Sequence, residues 1–292
     1  MRAGRVAARQ GRRRLGDTAR VTVDADAPSN PRRGPGARSY ATIRAEDLRA
    51  LERGDRETAT HVEQMALDMG ALLAAHFPEL QSDRHRFDGL SFLDRMREGG
   101  LILIAHFGSL AVDVAHASSS DVIRGWGAFA VGANPAPTLE ARIAQSRRFA
   151  MDSHFAVREW AWLGVRPHVV EDPKQALRLL QPLAEQPSAF IRRFAVEATR
   201  PRSVWGAHCP LLKADPNIAI ALLEAVAEDR TRYVEDSLAN WLNDAGKTRP
   251  DWVIATCRGW QQQWGAEVDR LVRRSMRSQL RAPGRGHATQ VV

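Results

Sequence analysis

The chain has 292 residues, 44% of them hydrophobic, enough to bury a sizeable core. It holds no run of about 18 uncharged apolar residues and no apolar stretch behind Met1, which argues against a membrane span and a secretory leader and makes the cytoplasm the expected compartment. Cys209 and Cys257 are its only cysteines, spaced for neither a disulfide framework nor a zinc site, and they read as core thiols.

The net charge of +8 is unevenly spread. Residues 1–40 carry ten Arg against three Asp, and no carboxylate follows Asp269, whereas residues 41–269 hold 26 cations against 31 carboxylates, a net −5. The expected organisation is a disordered Arg-rich extension over 1–39, a folded body over 40–268 and a basic tail over 269–292. Such arms are either solvated tails or a nonspecific hold on nucleic-acid phosphates, and a transit peptide has the same look.

In chain order, the body begins with an amphipathic helix. Val62, Met65, Ala66, Met69, Leu72 and Leu73 fall at spacings of three and four, ended by Pro78. Gly100 to Phe107 is apolar enough for a short strand, but its helical neighbours favour a buried helix. Pro135 and Pro137 precede a helix over 138–150. Pro167, Pro173, Pro182 and Pro187 punctuate the next pair of helices, and Pro201, Pro210, Pro216 and Pro250 mark later turns.

Across this region a phrase recurs. Ile-Arg-Gly-Trp-Gly at 123–127, Val-Arg-Glu-Trp-Ala at 157–161 and Ile-Arg-Arg-Phe-Ala at 191–195 are spaced by 34, and Val-Glu-Asp-Ser-Leu at 234–238 follows after 43. A fixed period of this length predicts stacked helical hairpins: an all-α, right-handed α-solenoid of HEAT-like repeats with a long concave surface.

The frame places Arg124, Arg158 and Arg192 at equivalent positions. They either line a ridge suited to a phosphate backbone or cap and bridge adjacent repeats, and Glu235 breaks the row. Glu159, beside Trp160 and Trp162, Trp205 in a turn-rich stretch, and Asp244 before Gly246 are not explained by the repeat. Asp244 is either turn chemistry or one of two carboxylates that a cationic, sugar-bearing substrate would need. His106, His154, His168 and His208 are scattered and read as core or surface residues. Trp241, Trp252, Trp260 and Trp264 read as helix packing.

The segments Phe155 to Ala161, Phe190 to Trp205 and Tyr233 to Lys247 resemble the DNA alkylation repair proteins of the AlkC and AlkD type, the AlkC branch more closely. That resemblance covers roughly residues 40–280. It implies a monomeric HEAT-like solenoid that cradles duplex DNA and hydrolyses the N-glycosidic bond of N-alkylated, cationic bases of the 3-methyladenine type. The damaged base is not drawn into a pocket, and no metal or cofactor is used. Carried over by motif, Glu159 and Asp244 would be active-site carboxylates and Trp205 would pack on the nucleotide. Arg124, Arg158, Arg192, Arg193, Arg200, Arg202 and Lys247 would meet DNA. The immunoglobulin-like domain of some AlkC-type proteins is expected to have no counterpart in this sequence. The alternative is a noncatalytic HEAT-like module binding DNA or a protein.

Overall fold

The computed structural model describes residues 36–278, all helix and connecting turns among the described residues. The helices are α1 (Ala45–Glu52), α2 (His61–Ala66), α3 (Met69–His76), α4 (Phe92–Phe107), α5 (Ala111–His116), α6 (Asp121–Ala133), α7 (Leu139–Ala150), α8 (Phe155–Glu171), α9 (Pro173–Leu180), α10 (Ala189–Ala198), α11 (Pro210–Ala214), α12 (Ile220–Glu224), α13 (Arg232–Ala245), α14 (Pro250–Trp264) and α15 (Asp269–Ser275). Short 3₁₀ turns link several of them.

The recurring phrase sits at the start of α6, α8, α10 and α13. These four pack side by side as the inner row, flanked by α4 and α15. The outer partners begin with the punctuation seen in the sequence. The Thr138 hydroxyl accepts the Ala141 N–H to cap α7, and Pro173, Pro210 and Pro250 occupy first-turn positions where a missing N–H costs nothing. The inner row is heavily buried because it is covered on both sides, α6 most completely, with Ile123, Trp126, Val157, Ile191, Val234 and Trp241 among its buried residues.

α6 and α8 approach backbone to backbone at Gly132 and Gly164. A Cβ on Gly164 would lie 2.2 Å from the Ala128 carbonyl oxygen, so glycine is required there for packing rather than for a turn.

Several expectations need correction. The helix expected from Val62 to Leu73 is two helices, broken at the extended Leu67, because the Asp68 carboxylate caps α3 by accepting the Ala71 N–H. Pro167 does not end a helix but lies within α8. The basic tail expected from 269 starts inside the fold: α15 packs on α13, with Leu271 and Val272 buried. Residues 36–39, placed in the N-terminal extension, include Ala37, whose N–H donates to Glu63 at 3.2 Å. Residues 1–35 and 279–292, with most of the two basic arms, lie outside the described residues.

The apolar run from Gly100 is helical, as expected. By length and composition Phe92–His116 is the one candidate to cross a bilayer among the described residues. It is interrupted at Gly108, whose φ is +54°, and it buries Met96, Ile102 and Leu103 against the core.

Candidate active site

Glu159 lies one helical turn into α8. Its two oxygens are held separately, one accepting the Trp162 indole N–H at 2.9 Å and the other paired with Arg193 at 2.5 Å. The side chain keeps 35% of its surface exposed. It opens onto a cleft of about 210 Å³ between α2, α4, α8 and the loop after α10. Trp205, Phe92, Phe155 and Trp160 supply aromatic walls, and His61 and Gln64 supply polar groups. Glu159 and Trp205 are thus brought together in one cleft.

Trp205 is 48% exposed and sits at the tip of a tight loop in which the Ser203 hydroxyl accepts the N–H groups of Trp205 and Gly206. Its indole meets the His61 ring at 5.5 Å between centroids. The loop is pinned from beneath by Arg166 of α8, a residue sequence reading passed over. Its guanidinium donates to the carbonyls of Ala198, Arg200 and Ala207. Arg166 is 1% exposed, and burial pushes its pKa down to about 10, so it remains a cation at neutral pH. No local signal marks it, because its partners lie 32 to 41 residues away.

Asp244, near the end of α13, does not line the cleft. It is 4% exposed, with one oxygen bonded to both Nε and a terminal nitrogen of Arg200 and the other to Lys247 at 2.8 Å. It is nevertheless connected to Glu159. Arg193 pairs with Glu159 and Glu197, and Arg200 pairs with Glu197 and Asp244. The result is a ladder of alternating sign, Glu159–Arg193–Glu197–Arg200–Asp244–Lys247.

Glu197, at its centre, is 2% exposed and also accepts the Ser237 hydroxyl at 2.6 Å. Burial works against its charge, yet Arg193, Arg200 and Ser237 hold its carboxyl below the ordinary value. Burial likewise opposes the Arg193 charge, but Glu159 and Glu197 hold its pKa above the usual one. Tyr233 presents its ring 4.3 Å from that guanidinium.

The row of frame arginines does not form a phosphate ridge. Arg124, Arg158 and Arg192 are 7%, 6% and 4% exposed, and each uses one terminal nitrogen identically: it donates to the carbonyls five and six residues earlier. Those carbonyls are Ser119 and Ser118, Ser153 and Asp152, and Pro187 and Gln186. The other side of each guanidinium reaches the next repeat, where Arg124 meets Asp152, Arg192 meets Asp229, and Arg158 meets the Phe190 and Tyr233 rings. Capping and bridging of repeats is therefore their role.

Arg193 and Arg200 are likewise committed to the ladder. Arg202 is half-buried, with its Nε buried and without a partner among the described residues. Lys247, with 45% of its side chain exposed, is the most accessible of the expected cations for which side-chain exposure decides the matter.

Of the scattered histidines, His154 is fully buried and bonded to the Thr58 carbonyl, and His106 pairs with Asp83 at the surface. Cys209 and Cys257 are free and buried.

The architecture is that of a HEAT-like helical-repeat protein with an aromatic, carboxylate-bearing cleft at the middle of the stack. Residues 145–256 match the family described as DNA alkylation repair enzyme, a span that contains Glu159, Trp205 and Asp244. The fold resembles the Pseudomonas fluorescens alkylpurine DNA glycosylase AlkC bound to DNA containing an abasic site analog, with a TM-score of 0.60 and 20% identity over 80% of this chain and 64% of that one. It also resembles AlkD2 from Streptococcus mutans, with a TM-score of 0.54 and 20% identity over 68% of this chain and 95% of the other. The uncharacterized protein YhaZ of Bacillus subtilis (strain 168) is 36% identical over 96 residues, which are 33% of this chain and 27% of YhaZ. The chain therefore spans under two thirds of AlkC and about a quarter of YhaZ. The resemblance read from the sequence is matched in two respects: residues 145–256 fit the repair-family model, and the fold is the helical-repeat fold of AlkC and AlkD2.

Proposed function

We propose that the protein is a monofunctional DNA glycosylase of alkylation repair, which hydrolyses the N-glycosidic bond of cationic N-alkylated bases, 3-methyladenine among them, in duplex DNA without base flipping. The observation that carries this reading is the meeting of Glu159 and Trp205 in one aromatic cleft, inside the span that matches the repair family. A base alkylated at a ring nitrogen already carries positive charge, so it departs without protonation by an acid. The catalytic demand falls on the deoxyribose, whose transition state resembles an oxocarbenium ion. Glu159, fixed by Arg193 and Trp162 and still open to the cleft, supplies preorganised negative charge there. The indole face of Trp205 favours a cationic ring by about 0.5–2 kcal/mol. Action on DNA as a monomer, in the cytoplasm, belongs to the same proposal.

A second reading, a noncatalytic module binding DNA or a protein, draws support from Asp244, whose oxygens are engaged by Arg200 and Lys247 as an interhelical ion pair. The test is release of free methylated base from methylated duplex DNA by the wild type, Glu159→Gln, Trp205→Ala and Asp244→Asn. The glycosylase reading expects release that falls roughly 10²–10³-fold in folded Glu159→Gln. Binding of the duplex without release by the folded wild type would favour the module.

A further inference from the structure

Each Glu159 oxygen already accepts one bond from a fixed donor and Asp244 lies outside the cleft, so the glycosylase reading, on which this inference rests, has a place for a second acceptor for the proton of the attacking water. The cleft contains one: His61, at the first position of α2, which lines it together with Glu159 and Trp205.

A buried chain of hydrogen bonds decides how its imidazole is presented. The Asp121 carboxylate, 1% exposed, accepts the Thr58 N–H at 3.1 Å and the Thr58 hydroxyl at 2.6 Å. The single hydroxyl proton of Thr58 is thereby used, so Thr58 can only accept from Gln64, whose nearest atom, 3.1 Å away, must be its NH₂. The Gln64 carbonyl oxygen then faces His61 Nδ1 at 3.0 Å and can only accept, which places a proton on Nδ1. Nε2 has no partner among the described residues, and in the neutral ring it is left as a lone pair. Edge contacts with Phe92 at 5.4 Å and Trp205 at 5.5 Å hold the ring plane. The Nδ1–H of a catalytic histidine is oriented in this way when an acceptor behind it sets the tautomer.

We infer that His61 is a further catalytic residue, the general base that orients and deprotonates the water attacking the anomeric carbon. In that step the water oxygen bonds to C1′, the C1′–N bond breaks with its electron pair passing to the cationic base, which leaves neutral, and one water proton moves to Nε2. The Asp121–Thr58–Gln64 chain positions the ring and stays unchanged, and Glu159 contributes only its charge.

The experiment compares single-turnover release of methylated base from methylated duplex DNA by the wild type, His61→Ala and Gln64→Met, with affinity for an abasic-site duplex measured in parallel. His61→Ala is expected to be roughly 10²-fold slower, with abasic-site affinity unchanged and the rate partly restored by added imidazole. Gln64→Met, which keeps the ring and frees its tautomer, should lose less. The ¹⁵N spectrum of the wild-type imidazole should show the Nδ1–H form. Release by His61→Ala at the wild-type rate, a slow variant that imidazole does not rescue, or an Nε2–H tautomer overturns the role while leaving the glycosylase reading intact. Absence of release by the folded wild type overturns that reading and this role with it.

Discussion

Glu197→Gln is the sharpest probe of the ladder that joins Glu159 to Asp244. The carboxylate is 2% exposed and bonded to Ser237, Arg200 and Arg193, so the substitution keeps shape and one acceptor but removes the charge between two guanidiniums. Removing one partner of a buried pair costs about 3–5 kcal/mol. Arg193 retains Glu159 and Arg200 retains Asp244, which puts the loss near the lower end, about 3 kcal/mol. For a folded body of this size that corresponds to a fall of about 6–12 °C in Tm.

The pH dependence follows from the direction of the Glu197 shift. Its folded-state pKa lies below the ordinary 4.5, so the folded state binds protons less readily than the unfolded chain. The stabilisation is therefore fully present above the ordinary carboxylate range and is lost as pH falls through the lower, folded-state value. Urea unfolding of both proteins at pH 7 and in steps below pH 4.5 should show a gap that narrows on acidification. A gap under about 0.5 kcal/mol at pH 7, the level of an ordinary surface substitution, or one that does not narrow, would refute the ladder's energetic role.

Arg192→Met should cost about 3–5 kcal/mol by stranding the buried Asp229. It should leave the salt dependence of DNA binding unchanged, because Arg192 is buried and paired with Asp229; a lowered slope of log affinity against log salt would contradict this. Gly164→Ala gains about 1 kcal/mol of helix propensity, but its Cβ meets the Ala128 carbonyl, so a net loss of about 1–3 kcal/mol in thermal unfolding is expected, and a raised Tm would show that α6 and α8 can part freely. Burial pushes the Cys257 thiol up to about 11, so neither it nor the buried Cys209 should react with a thiol reagent at pH 8 until the protein is unfolded; a fast-reacting thiol in the folded state would show that the C-terminal hairpins open.

The repeat was readable because a hairpin that must bury one face on its neighbours imposes apolar residues at a fixed period, and Ile123, Val157, Ile191 and Val234 all fall at helix starts in the buried row. Arg124, Arg158 and Arg192 were visible as a set, but their role depends on where the preceding loop turns its carbonyls, which spacing does not reveal. The break before α3 was hidden by apolar residues that keep the helical spacing across it; the only local sign was Asp68, a good cap. Glu159 and Trp205 were legible through motif and share the cleft. His61 was missed because nothing in its local sequence sets it apart, and it is singled out only by a chain running through Gln64 and Thr58 to Asp121, sixty residues downstream of its start.

The bridging arginines also give the stack a direction. In the first three frames the cation belongs to the inner helix and its acceptor, a carboxylate or an aromatic face, to the next repeat. In the fourth, Glu235 takes the inner position and the cation, Arg270, comes from the following helix. A unit joined at either side of this inversion would meet a different partner charge at the frame position. Glu235 and Arg270 thus mark the point, among the described residues, where the frame-position bridge changes polarity.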